Sequence, residues 1–475
     1  MSYIEGSSRE QQVLFPDVLD DYVGADNPVR FLDAFVASLD LLALGFARAT
    51  PAETGRPSYD PGDLLRLYLY GYLYRTRSSR KLEQETHRNV EVMWLLRQLR
   101  PDFKTIADFR RDNLAALQGV CRAFTLLCKA EGLFGGELVA IDGSKFRAMN
   151  AKKRNFSEAT LQRLQARIDA RIAEYLAALD AADCAEAAPA GPSAAVLQEK
   201  IDALRTRRES YEALQTALAA SGERQISLTD PDSRSMLSGG NTAVCYNVQT
   251  AVDDKHKLIV AHAVTNAPTD LEQLHPMATA ANAVLEAPAL QVIADRGYYS
   301  GPEVQACLDA GITPTIPRPL TSANAKHGLF TKDDFTYDAA DDQYRCPAGE
   351  TLAFKYATVE RGRPMRYYTT RACPKCLLKA KCTRNRDARR ITRWEGEAIM
   401  DTMAKRLAAK PELESRRKAI VEHPYGTMKR GMDQGYFLLR GLGKVRAEFS
   451  LTVFAYNLKR AITILGVPRL LAVLR

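Results

Sequence analysis

Gly136-Glu137-Leu138-Val139-Ala140-Ile141-Asp142-Gly143 is a short apolar run that ends on an acidic residue followed at once by glycine. Far along the chain the same plan returns as Leu290-Gln291-Val292-Ile293-Ala294-Asp295-Arg296-Gly297. A brief apolar run bounded by turn signals reads as a buried strand, so each strand is expected to stop at its aspartate. If the two strands are parallel neighbours, their carboxylates come close together. Paired carboxylates repel, raise one pKa and store electrostatic cost unless cations neutralise them. Mg²⁺, which favours hard oxygen ligands and keeps exchangeable waters, is the natural counter-ion. Singly, each aspartate reads more readily as a turn or cap residue; the combination is what points to chemistry.

Outward from these runs, residues 243–252 and 258–265 are strand-like and joined by a hairpin signal, Asp253-Asp254-Lys255-His256-Lys257. A helix over 270–285, another over 301–310 and a strand over 313–316 complete an alternating α/β pattern. Residues 1–135 read as helical, with apolar positions at helical spacing in 29–44, 64–74, 90–99 and 105–127 and a helix start at Asp60-Pro61-Gly62-Asp63. This block suits either a helix-turn-helix DNA reader or a plain helical core. Residues 157–222 interrupt the core with leucine and isoleucine three or four apart on both sides of Pro189-Ala190-Gly191-Pro192-Ser193. That is an antiparallel helical hairpin with arms of about 45 Å. Residues 320–400 form a cysteine-bearing β insertion, and helices over 403–429 and 445–465 close the chain. The predicted fold is therefore an α/β core with a mixed sheet flanked by helices, split into 136–156, 223–319 and 401–475.

Composition narrows the function classes. With 46% hydrophobic and 26% charged residues in 475, the chain is neither disordered nor fibrous. It has no apolar run of about 18 residues and no signal-peptide pattern, so a cytoplasmic protein without membrane contact is expected. Net charge is +9, and residues 401–475 alone carry 15 Lys/Arg against 6 Asp/Glu. Such a localised excess suits DNA, whose phosphates release counterions to Lys and Arg; the alternative is a solvated helical surface.

Further residues could carry chemistry. Glu422, between Arg416-Arg417-Lys418 and Lys429-Arg430, is the best-placed third carboxylate. Pro424 predicts a helix boundary or kink beside it. Lys429 and Arg430, with Lys145 and Arg296 as second choices, could hold phosphates. Tyr298 and Tyr299 could stack on a base or pack the core. His423 alone adjoins the proposed site. Cys346, Cys373, Cys376 and Cys382 have the spacing of a tetrahedral Zn²⁺ site, or are four reduced thiols in a small β subdomain. Cys121, Cys128, Cys184, Cys245 and Cys307 lie in apolar or helical surroundings and are expected to be inert.

Several longer blocks resemble the bacterial insertion-sequence transposases of the DDE class, in particular insertion-sequence family eleven-eighty-two, near families four and five. They are Val139-Ala140-Ile141-Asp142-Gly143-Ser144-Lys145-Phe146-Arg147 with Asn150 and Asn155-Phe156, Thr229-Asp230-Pro231-Asp232-Ser233, Tyr246-Asn247-Val248-Gln249-Thr250-Ala251, Thr269-Asp270 and Ala294-Asp295-Arg296-Gly297-Tyr298. Val421-Glu422-His423-Pro424-Tyr425-Gly426-Thr427-Met428-Lys429-Arg430, Leu438-Leu439-Arg440-Gly441 and Tyr456-Asn457-Leu458-Lys459-Arg460 continue the series. The resemblance implies a ribonuclease H-like core in which Asp142, Asp295 and Glu422 bind two Mg²⁺ (or Mn²⁺). It implies cutting at the terminal inverted repeats of an insertion sequence and joining of the 3′-hydroxyl ends to target DNA. It also implies a homodimer on DNA, for which the hairpin arms could supply the interface, and nucleoid association when bound. Ser415 and Lys418 depart from the family pattern, standing where it often has tyrosine and arginine, with Arg417 one place off. The competing readings are a catalytically silent DNA-binding derivative and a metal-dependent nuclease that joins nothing.

Overall fold

A computed structural model describes residues 18–474 except 52, 55–56, 152–153, 184–192, 239, 320–322 and 361. Cys184 and most of the expected Pro/Gly turn lie outside the described residues.

Six helices open the chain: α1 (Pro28–Ala37), α2 (Pro61–Leu73), α3 (Ser79–Arg88), α4 (Val90–Leu95), α5 (Phe103–Asp112) and α6 (Leu114–Ala130). Their starts are capped locally, Asn27 accepting from Val29 N–H, Asp60 from Gly62 and Asp102 from Thr105. The single helix expected over 105–127 is two, broken at Asn113. That side chain takes Ala47 N–H and donates to the Phe109 carbonyl, uses that favour an interruption. The helix expected over 29–44 stops at Ala37, where the Ser38 hydroxyl bonds back to Phe35.

β1 (Leu138–Arg147) then enters the sheet and is followed by β2 (Asn155–Ser157), α7 (Glu158–Asp183), α8 (Ala194–Ser221) and β3 (Gln225–Ser227). The long helices pack on each other, and the β2–β3 pair closes their base. A separate small core of Phe156, Leu161 and Leu218 lies there. β4 (Arg234–Ser238), β5 (Asn241–Asp253), β6 (Ile259–Thr265), α9 (Leu274–Leu285), β7 (Gln291–Ala294), α10 (Gly301–Asp309) and β8 (Thr313–Thr315) follow. The mixed sheet has the order β4-β5-β1-β7-β8, with β6 also on β5; β5–β6 is the expected hairpin. β1 is antiparallel to β5 and parallel to β7, which in turn is parallel to β8.

After the short α11 (Ala323–Lys326) comes a second, antiparallel sheet of β9 (Thr336–Asp338), β10 (Gln343–Arg345), β11 (Thr351–Glu360), β12 (Arg363–Thr369) and β13 (Ile391–Trp394), with α12 (Lys379–Cys382) between its last two strands. Its own core is Phe335, Tyr344, Leu352, Tyr368 and Ile391. α13 (Glu397–Ala409), α14 (Glu412–Gly426), a π-helical turn (Thr427–Gly431), α15 (Leu442–Leu465) and α16 (Val467–Val473) end the fold. The helix expected over 403–429 is thus divided, at Lys410-Pro411 and again past Gly426. One hydrophobic core runs from Val23 to Leu470 and joins the first helices, the mixed sheet and α15. Among the described residues, no helix is long and apolar enough to cross a membrane.

Candidate active site

The last parallel pair between β1 and β7 is Ile141 with Ala294, so Asp142 and Asp295 follow it side by side. β1 does not stop at its acid as the sequence suggested. It continues to Arg147, because β5 still pairs with it after β7 has ended. Asp295 instead leads into a 3-10 turn, and its carboxylate accepts Gly297 N–H at 2.8 Å. Burial drives the Asp142 carboxyl up to about 7, against its ordinary 3.8, and the negative charges of Asp295 and Asp270 push in the same direction. Arg417, with Nη1 at 3.8 Å, and the Gly143 N–H at 3.0 Å oppose them.

Asp270 is the carboxylate that sequence reasoning left out of the site. The helix predicted from 270 begins only at Leu274, which leaves Asp270 in the turn before it. Its Oδ1 accepts from Asn247 Nδ2 at 2.6 Å and Gln249 Nε2 at 2.7 Å, and Lys145 Nζ lies 3.5 Å away. A β-carbon added at Gly143 would meet Asp270 Oδ1 at 2.7 Å and Gln249 Nε2 at 2.6 Å. One at Gly297 would meet Asp295 Oδ1 at 2.9 Å and Asp270 Oδ2 at 3.7 Å. The glycines after the two aspartates therefore make room for Asp270 to approach. A signal for this network was available: Asn247 and Gln249 are wholly buried polar residues two apart on one face of a strand that is otherwise core. Tyr298 is fully buried and donates to Gln249 Oε1, so it packs the core and offers no ring to a base; Tyr299 is half-buried.

α14 lies against β1 and β7. Tyr425 Oη donates to the Asp142 carbonyl at 2.8 Å and receives the Thr250 hydroxyl at 3.1 Å. Arg417 and Tyr425 are thus the two α14 side chains that reach Asp142. Glu422 is exposed and makes no hydrogen bond or ion pair among the described residues. At 100° per residue its direction lies roughly 140° around the helix from Arg417 and roughly 60° from Tyr425. The structure sets Asp142 and Asp295 side by side, and among the described residues Glu422 does not complete a three-carboxylate cluster with them. α14 runs through Pro424, although the Ile420 carbonyl loses its donor, and the predicted boundary falls two residues further on at Gly426, where the π turn begins. His423 Nδ1 is 2.9 Å from Tyr456 Oη. Lys429 Nζ donates to Ser144 Oγ at 2.6 Å and to the Lys145 carbonyl at 3.0 Å, over the Phe146 ring, and burial lowers its pKa. Arg430 is exposed, and Arg296 is half-exposed, 3.9 Å from Glu414.

Among the described residues, no three His, Cys, Asp or Glu side chains form a ready-made metal cage. Mg²⁺ needs no such cage, since one or two carboxylates suffice when water and phosphate oxygens fill its other positions. The donor set of Asp142 and Asp295, two half-buried carboxylates at adjacent strand ends, fits that requirement. Cys346, Cys373, Cys376 and Cys382 are free thiols that line one small cavity. Burial, together with the other three thiols, raises the Cys382 pKa. Cys121, Cys128, Cys245 and Cys307 are buried, and burial raises each of their pKa values.

Residues 17–112 match the family described as Transposase domain (DUF772), and residues 345–462 match Transposase DDE domain. Asp142 and Asp295 fall between the two matched stretches, and Glu422 falls within the second. No curated protein and no solved structure matches the chain. The two matches support a DDE transposase role, with DNA as the substrate such enzymes act on.

Proposed function

We propose that the protein cleaves DNA at the terminal inverted repeats of its own insertion sequence and joins the freed 3′-hydroxyl ends to target DNA. The observation that carries this reading is the pairing of Asp142 with Asp295 at adjacent ends of β1 and β7, where burial, reinforced by the charges of Asp295 and Asp270, pushes Asp142 up to about 7. The strand order, three antiparallel strands leading into two parallel ones, supports a ribonuclease H-like core. Asp142 and Asp295 would hold Mg²⁺ or Mn²⁺, with Glu422 as the third carboxylate. What the bound metals supply is activation of water, and then of a 3′-hydroxyl, for in-line attack at phosphorus.

The chain's own groups prepare that chemistry. Arg417 counters the charge of Asp142, Tyr425 fixes the β1 backbone at that residue, and Lys145 is held by Asp270 where an entering phosphate could take its place. Arg296 and Arg430 have exposed guanidinium groups for further phosphates, whereas Lys429 must first leave Ser144. Glu422 reaches the pair if the end of α14 turns when DNA binds, and the π turn just beyond it is where such slack resides. A homodimer, with one DNA end per protomer, is the simplest assembly. One structural Zn²⁺ on Cys346, Cys373, Cys376 and Cys382 fits the donor chemistry once these four thiols, which line one cavity without forming a ready-made cage, draw together on the ion, and metal analysis of the purified protein should then find one zinc per chain.

The test is incubation with a labelled inverted-repeat end and a target plasmid, in Mg²⁺ or Ca²⁺. Joined products are expected in Mg²⁺. Cuts without joining would reduce the protein to a nuclease, and a shifted complex without cuts would make it a DNA-binding derivative. Asp142→Ala and Asp295→Ala should each remove product by at least a hundredfold while leaving the shifted complex in place.

A further inference from the structure

Part of the positive charge of the last 75 residues is already engaged by other groups of the fold. Arg416 pairs with Asp254, Arg417 with Asp142 and Lys429 with Ser144, while Arg406, Arg446 and Arg460 donate to the carbonyls of Pro314, Val264 and His256. A denser and freer concentration lies elsewhere. Residues 371–390, the β12–β13 connection that carries three of the four clustered cysteines, hold eight Lys/Arg and one acidic residue, Asp387. Arg371, Lys375, Lys381, Arg384, Arg386 and Arg390 are exposed, and none of these six side chains has a hydrogen bond or ion pair among the described residues.

The loop is also held in shape. Phe330 N–H donates to the Lys381 carbonyl at 2.8 Å, Lys379 Nζ to the Arg386 carbonyl at 2.6 Å and the Thr369 hydroxyl to the Arg389 carbonyl at 3.1 Å. Cys373, Cys376 and Cys382 wall the cavity beneath it. A pre-shaped cationic loop loses little conformational entropy when it meets a polyanion. Six unpaired cations on one short loop repel one another, and a partner rich in negative charge relieves that repulsion.

We infer that the 371–390 loop is a DNA-backbone grip, its exposed lysines and arginines seated on the phosphates of duplex DNA. The inference rests on the DNA reading above and adds to it a surface outside the Asp142 and Asp295 site. Phosphate contacts carry no sequence information, so the loop positions DNA and leaves recognition of the terminal repeats to other residues.

The test measures binding of the full chain to a duplex over a range of salt concentrations, comparing it with a Lys381→Gln/Arg384→Gln/Arg386→Gln variant. Each phosphate contact contributes roughly −0.9 to the slope of log affinity against log salt, so three lost contacts should make the slope shallower by about 2–3 and weaken binding at low salt at least tenfold. Thermal unfolding should be unchanged, since these side chains hold nothing in the fold, and Arg384→Lys/Arg386→Lys should keep the original slope. An unaltered slope in the glutamine variant overturns the grip while leaving DNA binding by the rest of the chain intact. Loss of an oligomer with an unaltered slope assigns the loop to a protein contact instead. Salt-independent binding by the parent chain removes the DNA reading itself.

Discussion

At the scale of single residues, the site is a crowd of negative charge held by close approach. Asp142 is driven up to about 7 by its surroundings, so its folded pKa lies above the ordinary 3.8. A carboxyl raised in this way contributes stability that is fully present below the unfolded pKa and lost as pH rises through the folded one. Metal-free protein should therefore be strained at pH 8, and Asp142→Asn should stabilise it there by on the order of 2 kcal/mol, with no difference near pH 4. Thermal melts of both proteins across pH 4–8 in chelator measure this, and added Mg²⁺ should narrow the gap by raising the parent alone. The space for Asp270 gives a second expectation. Gly143→Ala places a methyl group 2.6–2.7 Å from Gln249 and Asp270, which should cost about 1–3 kcal/mol of stability in urea titration. Comparison of Glu422→Ala with Asp270→Asn decides which acid works with the aspartate pair. Loss of joined product with the first and a milder loss with the second supports Glu422, and the reverse order gives the role to Asp270.

At the scale of elements, what was readable depended on whether a hydrophobic pattern pointed one way. β1 and β7 are apolar runs, the hairpin arms repeat their leucines, and β5 and β6 flank a turn, so these elements follow from local chemistry. α14 does not: charges stand on nearly every side of it, so no apolar stripe tells whether Arg417, Lys418 or Glu422 turns toward the sheet. Asp230 and Asp232, quoted in the sequence only as part of a motif, have a role visible only in three dimensions. They accept the Gly441 and Leu442 N–H groups and so cap α15 from more than 200 residues away, and Asp230 also receives the Tyr246 hydroxyl. The hairpin stands at the opposite extreme, with its own small core and the β2–β3 pair closing its base. Replacing residues 158–224 by a short glycine turn should therefore leave the melting temperature within about 2 °C of the parent. If the arms make the dimer interface, light scattering of that variant should report a monomer.

At the scale of the whole molecule, the opening helices are not an appendage. Phe35 and Phe124 on α1 and α6 meet Phe454 of α15 with ring centroids 5.7 and 4.9 Å away, and α15 also packs on β6. The same helix carries Glu448, whose side chain is wholly enclosed. It accepts the Leu438 and Leu439 N–H groups at 2.9 Å and faces Arg77 Nη1 at 3.4 Å, while Arg77 reaches on to the Tyr436 and Asp433 carbonyls. One carboxylate thus ties the α2–α3 connection to the segment that links the π turn to α15, and through it to the helix bearing Glu422. Removing one partner of a buried pair leaves the other charge stranded, which typically costs 3–5 kcal/mol. Glu448→Ala also abandons two main-chain donors, so it should fall at or above the upper end of about 5 kcal/mol, while Glu448→Gln keeps an acceptor and should lose less. Urea unfolding of both variants, followed by a probe in the opening helices and another in the mixed sheet, tests the linkage. Coincident transitions that move together to lower urea are expected from a single core. If the sheet unfolds at its original midpoint while the helices melt early, the two parts are separately stable and the bridge through α15 holds neither.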